Sequence, residues 1–424
     1  MKVFKFGGAS VRDSEAVRNV ARILDLFPEE KIVVVISAMG KTTNAMELIA
    51  TAIWEKDFAL FEAQVVLLKT YHSQIISELF PKDSAKIENE VNSVYTELHE
   101  RFENSERTKN AFEYDQVVSL GEVLSTKIVA AFLDQEGKSS EWADARTFIR
   151  TNHYYKEGEV DWKCTEQLVN DRLKNRFNHS NIVVTQGFVG HTSDGFTTTL
   201  GREGSDFSAG ILAYCLDAES VTIWKDVDGM LNADPRIFEN TIKLDRISFR
   251  EAIELSYYGA SVIHPKTIKP LQNKSIPLYV KSFFHPENEG TIIQYASDED
   301  HLIPSFIFKK KQILLSITPR DFSFIVEQNL SDIFNRLSRA NAKINLMQNS
   351  ALSFSVLLDE DKTNLSEVLG IFENTYSVKF NEDLELVTIR HYDQATIDFV
   401  CKNKKVVLEQ KTSDTARFVL SEVD

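Results

Sequence analysis

The run Ile32-Val33-Val34-Val35-Ile36 constrains the fold of this chain more than any other segment. Five successive apolar, mostly β-branched residues predict a strand, here Lys31–Ser37, that is covered on both faces; a strand with one wet face would alternate. Just upstream, Val3–Phe6 reads as a second strand ending in Lys5-Phe6-Gly7-Gly8-Ala9-Ser10. A helix with Val17, Val20, Ala21 and Leu24 on one face follows, with Ser10 and Asp13 as candidate caps. Strand, helix and doubly covered strand make a βαβ start, so the sheet is expected to be parallel.

Strand signals return at residues 181–185 and 221–224, separated by a Gly/Thr/Ser/Asp-rich stretch, and again at 276–280, so strands and helices alternate along the chain. The expected fold is a three-layer α/β/α sandwich with a mainly parallel central sheet. Residues 58–102 read as long charged helix and residues 114–133 as a more apolar one running past Gly121; a helical insertion or lid is expected there. Beyond Pro286–Gly290 the pattern shortens. Strands are expected at 312–318, 343–347, 353–358, 384–389, 405–409 and 417–420, and helices at 330–340, 365–374 and 394–401. This predicts a catalytic-sized domain over 1–295 and an α+β appendage over 303–424, made of one to two repeated units with the last one short. A length of 424 residues agrees with two to three domains at roughly 100–200 residues each.

The formal net charge of -15 disfavours nucleic acid and anionic membranes as partners, so any phosphate site has to be locally basic. Cys164, Cys215 and Cys401 lie far apart without metal-ligand spacing, which points to a reducing compartment and away from structural zinc. The chain enters a strand at once, lacks a signal-type apolar region, and carries no apolar run approaching ~18 residues. A cytoplasmic protein that does not enter the membrane is expected.

Three segments have the residue types that phosphate chemistry needs. Gly7 and Gly8 let backbone approach a ligand, free N–H groups at a helix start attract anions, and Lys5 adds a full charge. By itself Lys-Phe-Gly-Gly is also an ordinary tight turn and matches neither the P-loop nor the dinucleotide spacing. Residues Thr197–Ala209 bring hydroxyls, Gly201, Arg202, Gly204, Ser205 and Asp206 before an apolar helix: a second phosphate-facing helix start, or a plain loop capped by Asp206. Arg202 offers bidentate capture of a carboxylate. Trp224-Lys225-Asp226-Val227-Asp228-Gly229, with Asp234-Pro235-Arg236, lies where a strand leaves the sheet; Asp226 suits Mg²⁺ or a ribose hydroxyl, although Asp-Gly and Asp-Pro also serve as turns. Glu122 is a lone acid in an apolar helix, either surface-facing or buried against a partner such as a substrate ammonium.

Six blocks in order resemble the aspartate kinases. They are Lys5-Phe6-Gly7-Gly8, Ser37-Ala38-Met39-Gly40-Lys41-Thr42-Thr43-Asn44, Ser119-Leu120-Gly121-Glu122, Leu200-Gly201-Arg202-Glu203-Gly204-Ser205-Asp206, Trp224-Lys225-Asp226-Val227-Asp228-Gly229 and Gly259-Ala260-Ser261-Val262-Ile263-His264-Pro265. The appendage resembles the paired ACT domains of those enzymes. The resemblance implies ATP- and Mg²⁺-dependent phosphorylation of the side-chain carboxylate of L-aspartate, with no metal held by protein side chains alone. It implies that Lys5, Gly7 and Gly8 cradle the transferred phosphate while Asp206 orients the lysines. Thr43, Glu122, Arg202 and Ser205 would hold aspartate, and Ser10, Lys225, Asp226, Leu231, Arg236 and Ser261 would face the nucleotide. ACT units further imply a homodimer or higher oligomer and feedback by an amino acid, lysine first and threonine second, at a segment containing Asn345, Met347, Gln348, Asn349 and Ser350; read without the resemblance, that segment is a strand-edge turn.

One departure stands out. Many relatives carry lysine where this chain has Ser261, and Lys225 is expected to replace that cation, ahead of Lys266 and Lys281. Two rival readings remain: another amino-acid kinase of the glutamate, acetylglutamate, carbamate or nucleotide type, and a non-catalytic ACT-containing sensor. A fused second enzyme does not fit after the appendage.

Overall fold

A computed structural model describes residues 1–105, 110–238, 240–259, 263–296, 300, 303–321 and 323–422. The chain divides into two compact units. The first contains residues 1–230, 243–253 and 262–298; the second contains 231–242, 254–261 and 299–424.

The first unit is built on an eight-stranded sheet. Its order is Arg246–Ser248, Thr291–Gln294, Leu278–Ser282, Ser220–Lys225, Lys2–Phe6, Ile32–Ile36, Ile182–Gln186 and Ser140–Ala143. All neighbours run parallel except Leu278–Ser282 with Thr291–Gln294. Lys2–Phe6 sits at the centre, with Phe6 opposite Ile36 on one side and Trp224 on the other. All five residues of Ile32–Ile36 are buried, as the apolar run predicts. At about 1.5–3 kcal/mol per buried aliphatic side chain, this strand is one of the stronger local contributions to the fold.

Alternation along the strands sends side chains to two covered faces. Phe4, Phe6, Ile32, Val34, Ile36, Val184 and Trp224 share one apolar cluster with the helices Ser14–Asp25, Thr42–Glu55 and Leu120–Gln135. Val3, Val33, Val35, Val183, Val221 and Ile223 are buried too, and the helix Gly204–Leu216 packs on that side of the sheet. Pro265–Asn273 in turn packs against that helix.

Residues expected as an insertion or lid form two helices, Phe58–Leu79 and Ala85–Asn104. Phe61, Leu68, Ile75, Ile87, Val91 and Leu98 join the same cluster as the sheet, so these helices are part of the core rather than a cover over it. The single helix expected at 114–133 is two, Ala111–Val118 and Leu120–Gln135. Gly121 does not break it. A methyl there would approach Thr42 Cγ2 to 3.2 Å and Ala38 Cβ to 3.3 Å, so glycine serves close packing. The segment Ala111–Gln135, interrupted by Glu113, Asp115, Glu122, Lys127 and Asp134, is long and apolar enough to cross a membrane by length and composition. Its apolar window is 89% buried inside the protein, as in a core helix.

In the second unit, one six-stranded antiparallel sheet runs in the order Ile344–Asn349, Phe354–Asp359, Ser305–Pro319, Tyr376–Arg390, Thr415–Glu422 and Lys404–Lys411. Helices Glu327–Arg339, Leu365–Phe372 and Gln394–Cys401 accompany it. Two 15-residue strands, Ser305–Pro319 and Tyr376–Arg390, pair along their length with irregular register between Lys309 and Leu314.

Candidate active site

Parallel α/β sheets bind ligands beyond the carboxyl ends of their strands, where helix N-termini and loops converge. Here a cavity of about 590 Å³ opens at that edge, within the first unit. It brings together Lys5, Thr43, Glu122, Arg202, Ser205, Asp206 and Lys225, which the sequence had placed up to 220 positions apart.

Lys5 projects from the end of the central strand, and its ammonium lies 2.5 Å from Asp206 Oδ1. Lys225, at the end of the neighbouring strand, lies 3.9 Å from Asp206 Oδ2. Asp206 is buried in the first turn of the helix Gly204–Leu216, where the helix dipole favours an anion. It therefore does not cap that helix; Glu203 occupies the cap position, with left-handed backbone and no side-chain cap bond. The two lysines and the carboxylate together carry one net positive charge.

The Gly7-Gly8 turn supports this arrangement. A methyl on Gly7 would sit 3.4 Å from Lys5 Nζ, and one on Gly8 would fall 2.6 Å from the Ala38 carbonyl oxygen. Gly8 is thus required by the approach of two backbone segments. Ser10 is buried in the following 3₁₀ turn Gly8–Val11, its N–H donating to the Gly7 carbonyl at 2.9 Å; it is not in the pocket wall.

Glu122 is buried, resolving its two sequence readings. One oxygen accepts from the Ala38 N–H at 3.3 Å; Oε2 is buried without a hydrogen-bond partner among the described residues. Burial pushes its pKa up to about 8. A buried acid with one unsatisfied oxygen facing a cavity suits an incoming cation. Thr43 lies in the first turn of Thr42–Glu55, and Arg202 is exposed at the pocket mouth after the left-handed Gly201.

Other expected residues fall elsewhere. Asp226 is exposed just past the strand end and outside the pocket wall. Leu231 and Arg236 belong to the second unit, where Arg236 pairs with Asp234 at 2.6 Å. Ser261 lies outside the described residues. Asn345 is in the edge strand Ile344–Asn349 rather than a loop. It accepts from Lys309 Nζ at 2.9 Å and donates to Gln312 and Asp359 at 2.8 and 2.7 Å. Met347, Gln348, Asn349 and Ser350 are exposed at that edge.

Sequence reasoning missed Glu47, Tyr114, Lys156, Glu157 and Phe188 in the pocket wall. Tyr114 Oη donates to Glu47 at 2.6 Å, and Lys156 Nζ stands 4.0 Å over the Tyr114 ring. No spacing rule links these residues, which come from four separate segments. Among the described residues no group of three or more His, Cys, Asp or Glu side chains is placed to hold a metal ion.

A parallel sheet with paired cations and a glycine turn at its carboxyl edge defines a phosphate-handling kinase class, and the chain belongs to the amino acid kinase family, whose model matches residues 1–282. It is 31% identical over 364 residues to lysine-sensitive aspartokinase 3 of Escherichia coli strain K12, covering 84% of this chain and 78% of that one. The crystal structure of E. coli aspartokinase III in complex with aspartate and ADP superposes with a TM-score of 0.81 at 26% identity, over 99% of this chain and 96% of that one. The form in complex with lysine and aspartate gives 0.82 at 26% identity, over 99% and 95%. Within the amino acid kinase family, the chain is a member of the aspartokinases.

Proposed function

We propose that this protein transfers the γ-phosphoryl group of ATP to the side-chain carboxylate of L-aspartate, giving 4-phospho-L-aspartate, the first step towards lysine, threonine and methionine. The observation that carries the reading is the Lys5–Asp206–Lys225 cluster in one cavity with Arg202, Thr43 and Glu122. Similarity to aspartokinase III, whose structures hold aspartate with ADP or with lysine, supports it.

Phosphoryl transfer asks the protein mainly for alignment and charge neutralisation. Lys5 and the amides of Gly7 and Gly8 steady the transferred phosphate, and Asp206 keeps Lys5 and Lys225 apart and aimed. Arg202 takes the α-carboxylate of aspartate, Thr43 and Ser205 the remaining oxygens, and Glu122 the ammonium. No general base is needed, because the attacking carboxylate, with a reference pKa of about 4, is already ionised. On the nucleotide side we assign Lys225, Asp226 and Ser10. Mg²⁺ would be held chiefly by the ATP phosphates, with Asp226 as the assigned protein carboxylate. When bound, that ion offsets charge on the β- and γ-phosphates.

Residues 1–295 form the catalytic domain in this reading and 303–424 an ACT-type regulatory region, feedback-controlled by lysine or, second, threonine, in a cytoplasmic homo-oligomer. Unchanged activity with either amino acid at millimolar levels would remove feedback. Lys225→Ala should raise the ATP KM or lower turnover; wild-type values for both would end its role as the replacement cation. ADP formation with aspartate against glutamate tests the substrate directly. Faster turnover of glutamate would move the chain to another kinase of the family, and calorimetric binding of amino acids without any binding of Mg-ATP would make it a sensor.

A further inference from the structure

We infer that Asp115, assisted by Gln116, is the positioning residue of the acceptor half of the pocket: its carboxylate fixes the segments carrying Lys156–Glu157 and Thr199–Arg202 against the helix that leads to Glu122. The inference rests on the reading of the pocket given above.

Asp115 lies in Ala111–Val118 and is fully buried. Its Oδ2 accepts from the Lys156 N–H at 2.8 Å and the Thr199 N–H at 2.9 Å; its Oδ1 accepts from the Thr199 hydroxyl at 2.8 Å. Gln116 adds a second pair of bonds, donating to the Thr197 carbonyl at 2.7 Å and accepting from the Thr197 N–H at 3.2 Å. The short strand Thr197–Thr199 pairs with Val189–His191 along one edge only. Its other edge presents buried N–H and C=O groups that would cost free energy if left unpaired. Side chains of two consecutive helical residues therefore do the work of a third strand. The Gly158 N–H completes the edge by donating to the Thr199 carbonyl at 2.8 Å.

The position of this clamp gives it a functional consequence. Lys156, Glu157 and Thr199 line the cavity, and Arg202 follows Thr199 by three residues. Lys156 itself has left-handed backbone at φ 70°, a conformation unfavourable for lysine that an external bond to its N–H helps to hold. Gly201 stands beside Glu157, a methyl there reaching Glu157 Cγ at 3.2 Å. Both chain segments thus touch each other and converge on one carboxylate. Burial of that carboxylate pushes its pKa up to about 6, while the three donors and the Lys156 charge favour the ionised form. Near neutral pH it remains an acceptor for all three.

The test compares Asp115→Ala and Asp115→Asn with wild type in steady-state kinetics for both substrates and in amide hydrogen exchange. An asparagine can keep its oxygen on the two N–H groups and turn its amide towards the Thr199 oxygen, whereas alanine abandons all three. Asp115→Ala is expected to raise the aspartate KM by up to about 100-fold, the scale of a ~1 Å misplacement, with the ATP KM within about twofold; Asp115→Asn is expected to recover most of it. The Lys156 and Thr199 amides should be protected in wild type and Asp115→Asn and exchange rapidly in Asp115→Ala. Equal changes in both KM values, no change in either, or rapid exchange of these amides in wild type would overturn the inference. Wild type turning over glutamate and not aspartate would instead overturn the substrate; the clamp is then judged on the glutamate KM and the same amides.

Discussion

Aspartate binding in the absence of nucleotide should release nearly one proton at pH 7, and Glu122→Gln should abolish that release. With a pKa of about 8, Glu122 is roughly 90% protonated at pH 7 in the free protein. An ammonium placed against its unpartnered Oε2 needs to lower that pKa by about 2 units to ionise it, or about 3 kcal/mol. An attraction of about 4 kcal/mol, expected for unit charges ~4 Å apart at an effective dielectric constant of ~20, suffices. Titration calorimetry in buffers of differing ionisation enthalpy reads the proton number as the slope of observed heat. The expected slope is about 0.8–0.9 protons released for wild type and near zero for Glu122→Gln. A flat line in wild type, or equal release in both, refutes the placement of the ammonium on Glu122. The same shift has a stability signature. Because the folded pKa exceeds the unfolded value of 4.5, stability should fall as pH rises from 4.5 to 8, by at most about 4–5 kcal/mol, and Glu122→Gln should remove that slope.

Lys5→Ala should cut turnover at least ~100-fold by removing a charge from the phosphate position, while circular dichroism remains native; activity within about threefold of wild type contradicts the role. Gly8→Ala puts a methyl 2.6 Å from the Ala38 carbonyl and 3.2 Å from that of Gly40, so denaturant unfolding should show a loss of about 1–3 kcal/mol. His72 is buried against Leu68 and Tyr95, with its pKa lowered from 6.5 to about 4 by burial. Its folded pKa is depressed, so stability present above pH 6.5 is lost as pH falls towards 4, by about 3 kcal/mol; His72→Gln should flatten that acid limb in thermal melts.

Features whose causes are local were legible in the sequence. The strand Ile32–Ile36 follows from an unbroken apolar run, and Ser14–Asp25 from its apolar face and its Asp13 cap, whose side chain accepts from the Ala16 N–H at 2.8 Å. The Lys5, Arg202 and Asp206 blocks were legible because they occur together and in order with the other blocks of the resemblance; each alone reads equally as a turn or a capped loop. Other features depended on distant partners. Strands were expected at 312–318 and 384–389, yet Lys309–Lys311 and Asn381–Asp383 also lie inside strands, each 15 residues long. There the left-handed Lys311 and Asp383 absorb an irregularity between two halves of one sheet. Asp115 was invisible for the same reason: its bonds reach 41 and 84 residues along the chain. Helices 58–79 and 85–104 read as an insertion or lid because their charged outer faces dominate the pattern, while Phe61, Leu68 and Val91 point into the main core.

The central claim is that the Lys5–Asp206–Lys225 cluster and the acceptor site serve phosphorylation of the aspartate side chain. Incubation of the purified protein with Mg-ATP, L-aspartate and hydroxylamine measures this most directly, since hydroxylamine traps an acyl phosphate as its hydroxamate. The expected result is aspartyl hydroxamate accumulating in step with ADP, in wild type and not in Lys5→Ala. ADP release without hydroxamate, or hydroxamate formed from glutamate in preference to aspartate, would contradict the account.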